Sequence, residues 1–187
     1  MCCLFGILDY GHKLSRKEKT KILSVLSVAC EERGTDATGI AYNSGGSLKV
    51  YKRPLPAHLL WFKVYEDTNL VMGHTRMTTQ GSERFNANNH PFAGKVGDTT
   101  FALAHNGVLS NDKRLRRQHD LPATKIETDS YIAVQLLEAS GELSFASLAS
   151  MAEKLEGSFT ISVMTDTDDL SLIKGDNPLC LSIMKNS

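Results

Sequence analysis

Apolar and polar positions change period several times along the chain. Leu4 to Asp9 is a short apolar run closed by Tyr10-Gly11, the pattern of a buried strand entering a turn. Ser15-Arg16-Lys17-Glu18 has capping-box spacing, and Ile22, Leu23, Val25, Leu26 and Ala29 then recur at helical intervals until Arg33-Gly34. Residues 38–42 and 47–52 read as two strands joined by Asn43-Ser44-Gly45-Gly46, a hairpin signal. Pro54-Leu55-Pro56 breaks regular structure. Leu59-Leu60-Trp61-Phe62 predicts a short helix packed on the core, and residues 69–75 a further strand. Residues 78–98 are rich in Gly, Asn, Ser and Thr and read as one long loop, of the kind that often carries function. Phe101 to Ala104 is a short strand that Asn106-Gly107 should end in a tight turn. Residues 113–117 form a basic helix face. Thr128 or Asp129 caps a helix carrying Ile132, Ala133, Leu136 and Leu137, and residues 144–155 predict another, stopped at Gly157. Residues 159–164 and 170–174 form a hairpin around Asp166-Thr167-Asp168, and Leu179 to Met184 a final strand.

This order does not alternate as βαβ units would. It predicts a layered α+β domain of mainly antiparallel sheets, a single domain over residues 1–187. A chain of 187 residues is long enough to bury about 70% of its unfolded surface.

Charge narrows the function classes. Lys plus Arg and Asp plus Glu are each 21, so the formal net charge is zero. That argues against nucleic-acid binding and gives no electrostatic reason to sit on a membrane. No apolar stretch approaches 18 residues, and the first apolar run is broken by Asp9 and Gly11, so neither a span nor a signal peptide is expected. Cysteines stand at 2, 3, 30 and 180 without a CxxC pair, which reads as free thiols in a reducing, cytoplasmic setting.

The candidate chemistry begins at Met1-Cys2-Cys3. A cysteine behind the initiator methionine can become N-terminal, so that one residue carries a thiol nucleophile and an α-amine of pKa roughly 7.7–8.0. The plainer alternative is a small apolar residue opening a buried strand. Arg76 offers a planar fork for a carboxylate, or a surface ion pair. Asn106 and Gly107 offer an amide and a backbone N–H for an oxyanion, or merely a turn. Asp129 offers an anchor for an ammonium group, or a helix cap. Brought together, these residues would describe a site for an α-amino acid with a cleavable side-chain carbonyl. A metal at Cys2, Cys3 and His12 lacks a fourth ligand.

Eight segments in order carry a more specific resemblance: Cys2-Cys3-Leu4-Phe5-Gly6; Arg33-Gly34-Thr35-Asp36-Ala37-Thr38-Gly39; Gly73-His74-Thr75-Arg76-Met77-Thr78-Thr79-Gln80-Gly81; Asn89-His90-Pro91-Phe92; His105-Asn106-Gly107; Glu127-Thr128-Asp129-Ser130; Leu155-Glu156-Gly157-Ser158-Phe159; and Gly175-Asp176-Asn177-Pro178-Leu179. Together they resemble the glutaminase domain of class II glutamine amidotransferases, which are N-terminal-nucleophile hydrolases. The domain is similar to that of glucosamine-6-phosphate synthase and glutamine phosphoribosylpyrophosphate amidotransferase.

The resemblance implies a four-layer αββα sandwich of two mainly antiparallel sheets, C-terminally shortened, with the nucleophile at the start of a central strand. It implies that Cys2 attacks the side-chain amide of L-glutamine while its α-amine relays the proton to ammonia. Asn106 and Gly107 would hold the oxyanion. Arg76, with Thr79 near it, would bind the substrate carboxylate, and Asp129 the ammonium. No cofactor is implied. Residues 1–187 would be the glutaminase domain with no synthase domain, so a separate synthase would take the ammonia, and a homo-oligomer is compatible with that role. The chain departs from the family pattern at Cys3, where glycine is usual, and at Met77, where an aromatic is usual. The other reading of the same fold is a catalytically weak glutamine-binding or regulatory module. The mechanism also requires removal of Met1, which a small residue at position two permits.

Overall fold

The computed structural model describes residues 2–183, so Met1 and Met184 lie outside the described residues. Eight strands form two four-stranded antiparallel sheets. The first contains β1 (Cys3–Leu8), β2 (Ala37–Ser44), β3 (Ser47–Arg53) and β4 (Leu70–Arg76), in the order β1-β4-β2-β3. The second contains β5 (Phe92–Val96), β6 (Thr99–Leu109), β7 (Gly157–Thr165) and β8 (Leu170–Lys174), in sequential order. Helix α1 (Arg16–Ala29) covers the first sheet; α2 (Asp112–Gln118), α3 (Tyr131–Ala139) and α4 (Phe145–Lys154) lie on the side of the second.

Three apolar clusters mark the three interfaces of this four-layer αββα sandwich. Leu23 of α1 packs with Ile40, Tyr42, Phe62 and Val71 on the outer face of the first sheet. Phe101, Leu103, Ile161 and Val163 pack under α3 and α4. Between the sheets lie Ala41, Leu70, Met72, Ala102, Ala104 and Met164. The assignment follows the pleat, because successive side chains of a strand point to opposite faces. Leu70 and Met72 face the seam while Val71 faces α1; Ala102 and Ala104 face the seam while Phe101 and Leu103 face the helices. Three of the seam residues are alanines, so the sheets approach closely. Asn43 crosses the seam, donating from Nδ2 to the Thr165 carbonyl at 2.8 Å and to Asp168 at 2.7 Å.

Most expected elements form, with five differences. The short helix expected at Leu59-Leu60-Trp61-Phe62 does not form: a single 3₁₀ turn over Ala57–Leu59 ends in extended backbone at Leu60, so Phe62 packs in the core while Leu59 and Trp61 are exposed. β1 has only β4 as neighbour, so it is an edge strand among the described residues rather than a central one. β6 does not turn at Asn106-Gly107; it runs on to Leu109, because these two residues pair with Thr160 and Phe159 of β7. The expected long loop contains β5, which closes against β6. The last expected strand does not form over residues 179–183, where Leu181 and Ile183 are exposed.

Helix α1 starts as its sequence dictates, with Ser15 accepting from the Glu18 N–H in a capping box. Its Lys19 breaks the pattern: it is buried, and its ammonium donates to the carbonyls of Thr68 (2.7 Å) and Glu66 (3.2 Å) beside Asp9 (3.5 Å). The backbone N–H groups of Lys13 and Leu14 donate to the same Asp9 carboxylate. Removing one partner from such a cluster leaves the other charge buried and uncompensated. Lys19→Met is therefore expected to cost roughly 3 kcal/mol, checked by urea unfolding at neutral pH.

Candidate active site

The pleat brings three of the sequence-predicted residues to one place. Counting along β4, Leu70, Met72, His74 and Arg76 share the seam-facing side. Counting along β6, Ala102, Ala104 and Asn106 do the same. On β1, Leu4 and Leu8 face the seam while Phe5 and Ile7 face α1. Cys2 continues the first set and Cys3 the second, so the two adjacent thiols diverge. The Cys3 thiol meets Cys30 on the α1 side. Cys2 is buried, and its thiol donates to the Met77 carbonyl at 3.5 Å.

The charges of Arg76 and Asp129 both bear on the Cys2 thiol. Burial pushes its thiol pKa up, the guanidinium of Arg76 opposes that rise, and the carboxylate of Asp129 adds to it. The three come from the start of β1, the end of β4 and the approach to α3.

Each charged group is held by the chain itself. Arg76 is 2% exposed; its fork donates to Asn89 Oδ1 (2.6 Å), the Gln80 carbonyl (2.6 Å) and the Gly81 carbonyl (3.1 Å). It thus shapes the bend that follows β4. Thr79 sits exposed on that bend, so the Gln80 and Gly81 carbonyls, not its hydroxyl, approach the guanidinium. Asp129 is not a helix cap: Ser130 occupies that position, and α3 has no side-chain cap. The Asp129 carboxylate instead accepts from the Ser130 N–H (2.9 Å) and hydroxyl (3.3 Å) and from the Leu109 N–H (2.6 Å). This ties α3 to the end of β6.

Asn106 is 6% exposed, and its amide oxygen has no hydrogen-bond partner among the described residues. Asn177 donates to its backbone carbonyl at 2.7 Å. On the preceding residue, the ring of His74 hydrogen-bonds to the His105 carbonyl (3.0 Å), while the His105 ring meets the Ser130 hydroxyl (2.7 Å). The peptide before Asn106 is so anchored from the first sheet and its side chain neighbour from α3. Gly107 has φ 149°, and a Cβ there would lie 1.9 Å from the Ser158 carbonyl oxygen. No other residue fits that approach to β7.

Several residues that build the site were not singled out as functional by sequence reasoning. Arg33 Nε donates to the Cys2 carbonyl at 3.0 Å. Asp36 accepts from the Thr78 N–H at 2.7 Å, and its own N–H donates to the Arg76 carbonyl at 2.9 Å. Gly34 lies so close that an added Cβ would stand 2.4 Å from the Arg76 carbonyl carbon. The Arg-Gly-x-Asp segment therefore clamps the chain from Arg76 to Thr78 beside Cys2. Lys52 is the last: its ammonium donates to the carbonyls of Asn89 (2.5 Å) and Pro91 (3.1 Å), and burial, with the charge of Arg76, lowers it to about 8. The signal available in the sequence was the consecutive Asn88-Asn89, both fully buried, which fix the loop through Glu127 and Arg76.

A family model described as class II glutamine amidotransferases matches residues 26–159. Among curated relatives, the glutamine–fructose-6-phosphate aminotransferase (isomerizing) of Clostridium acetobutylicum is 30% identical over 97% of this chain and 30% of its own length. The enzyme of the same name from Halobacterium salinarum is 32% identical over 81% of this chain and 26% of its own. The chain thus spans about 30% of the length of the curated relatives it matches. Two solved structures share the fold. Glutamine phosphoribosylpyrophosphate amidotransferase of B. subtilis, complexed with ADP and GMP, superposes with a TM-score of 0.67 at 23% identity, over 89% of this chain and 35% of that one. A structure described as the allosteric regulatory enzyme of purine biosynthesis gives 0.69 at 21% identity, over 89% and 36%.

Proposed function

The chain belongs to the class II glutamine amidotransferases, and from that membership we propose that it hydrolyses the side-chain amide of L-glutamine, with Cys2 as nucleophile. The observation that carries this reading is that Cys2, at the head of β1, lies on the same seam-facing side as Arg76 of β4 and Asn106 of β6, with its thiol against the carbonyl of Met77, the residue after Arg76. In this reading Cys2 Sγ bonds to the amide carbon. The Asn106 amide and the Gly107 N–H stabilise the oxyanion, and ammonia leaves with a proton relayed by the Cys2 α-amine. Water then cleaves the γ-glutamyl thioester to glutamate. Ammonia passes to a separate synthase.

Burial decides how the thiol must be activated. A thiol whose pKa is raised is protonated at neutral pH. The base must therefore be local, and the α-amine freed by loss of Met1 fits that role. The substrate carboxylate would take Arg76 from the Gln80 and Gly81 carbonyls, so binding would rearrange the bend after β4.

The test is glutamate release from glutamine by the protein lacking Met1. Asn106→Ala is expected to lower kcat by about 10²–10³-fold with little change in KM, as removal of one oxyanion donor does. Absence of release by the processed protein, or an unchanged kcat in the variant, would overturn the reading. The first of these with glutamine still bound would favour the glutamine-binding module.

A further inference from the structure

We propose that Cys3 and Cys30 form a peroxide-reactive dithiol that closes reversibly to a disulfide between the start of β1 and the turn after α1. Their sulfurs stand 2.8 Å apart, with both residues partly exposed and both thiols free. The pleat explains the meeting. Cys3 shares the α1-facing side of β1 with Phe5 and Ile7, and Cys30 caps the C-terminal end of α1. Their backbones are held in place independently of the sulfurs. Cys3 pairs with Thr75 across the sheet, and the Thr75 hydroxyl donates to the Cys30 carbonyl at 3.0 Å.

The two thiols are unequal. Sharing a hydrogen with Cys30 draws the Cys3 thiol down to about 7 against burial, with the Arg33 guanidinium assisting. The same contact pushes Cys30 up. Cys3 is then the attacking thiolate and Cys30 the resolving thiol, the arrangement of a redox-sensitive pair. The oxidant is a peroxide. Cys3 sulfur bonds to one peroxide oxygen as the O–O bond breaks, giving a sulfenic acid and water. Cys30 sulfur then bonds to Cys3 sulfur as the S–O bond breaks, releasing a second water. Two thiols are oxidised and one peroxide is reduced. A small dithiol reverses the change.

The site does not draw on glutamine turnover, so its test is independent of that reading. The full chain is treated with hydrogen peroxide at neutral pH, alkylated and digested without reductant. Alkylatable thiols should fall from four to two, with a Cys3–Cys30 linked peptide that dithiothreitol removes. In Cys30→Ser no linked peptide should form, and dimedone should label Cys3. Full alkylation of both Cys3 and Cys30 after peroxide, or linkage of Cys3 to Cys2 or Cys180 instead, would overturn the proposal. So would a Cys30→Ser protein in which dimedone labels another cysteine before Cys3.

Discussion

Cys2→Ala is expected to lower glutamate release by roughly 10⁴–10⁶-fold, the scale of removing a covalent nucleophile. The thiol is the only group the substitution removes, and its hydrogen bond to the Met77 carbonyl, at 3.5 Å, is a weak one. Stability should therefore fall by only about 1 kcal/mol. A large loss of rate without a loss of fold separates nucleophile from packing residue. Protein that retains Met1 should match the variant, because its α-amine is acylated although its thiol is intact. Intact mass sorts the two populations, and glutamate release is measured on each. Equal rates from Cys2→Ala and the processed wild type would remove Cys2 from the chemistry. Cys3 should not substitute for it, since its thiol faces Cys30.

Gly34→Ala is expected to have the largest effect on stability. The added methyl would meet three backbone atoms: the carbonyl carbon and oxygen of Arg76 at 2.4 and 2.6 Å and the Met77 nitrogen at 2.6 Å. Backbone cannot swing aside as a flexible side chain can. The cost should reach about 3 kcal/mol, the upper end for overpacking, and lower Tm by roughly 6–12 °C. The same displacement moves Arg76 and the Met77 carbonyl away from Cys2. A shift of about 1 Å in such a site costs around 10²-fold in rate. Thermal unfolding and steady-state kinetics on the one variant check both. A native Tm with native kcat would show that the clamp is not needed.

Much of this architecture was legible because period-2 and period-3.6 patterns were strong where elements are long and one-sided. The hairpins β2–β3 and β7–β8, the strand β4 and the helices α1, α3 and α4 fall where the apolar positions predict. The misses have physical causes. β5 carries only Phe92 and Val96 as buried residues, and its Gly94 leaves room for the Phe101 ring, so no alternation was visible. Asn106-Gly107 prefers a turn locally, but nine paired residues with β7 override that preference. Residues 179–183 alternate like a strand, yet Leu181 and Ile183 find nothing to bury against among the described residues.

The site divides the same way. Cys2, Arg76, Asn106, Gly107 and Asp129 are candidates by residue type. What was not identifiable is that Asp36, Gly34 and Asn89 are needed to hold Arg76. Those contacts join segments separated by 13 to 42 residues, which no local pattern records. The close approach of Gly34 is a property of two loops at once.

The alanine-lined seam divides the candidate site between the two sheets. Arg76 and Cys2, at the head of β1, stand on the side of one sheet; Asn106 and Asp129, on the approach to α3, stand on the side of the other. An amino acid held by both halves would act as a staple between layers, so its affinity would add directly to the free energy of docking them. At a hundredfold excess over Kd that contribution is about 2.7 kcal/mol. Occupancy could therefore be read from melting temperature alone, even in a Cys2→Ala protein that turns nothing over. Conversely, enlarging Ala102 or Ala104 would prise the halves apart and weaken such a staple without touching a single polar residue of the site.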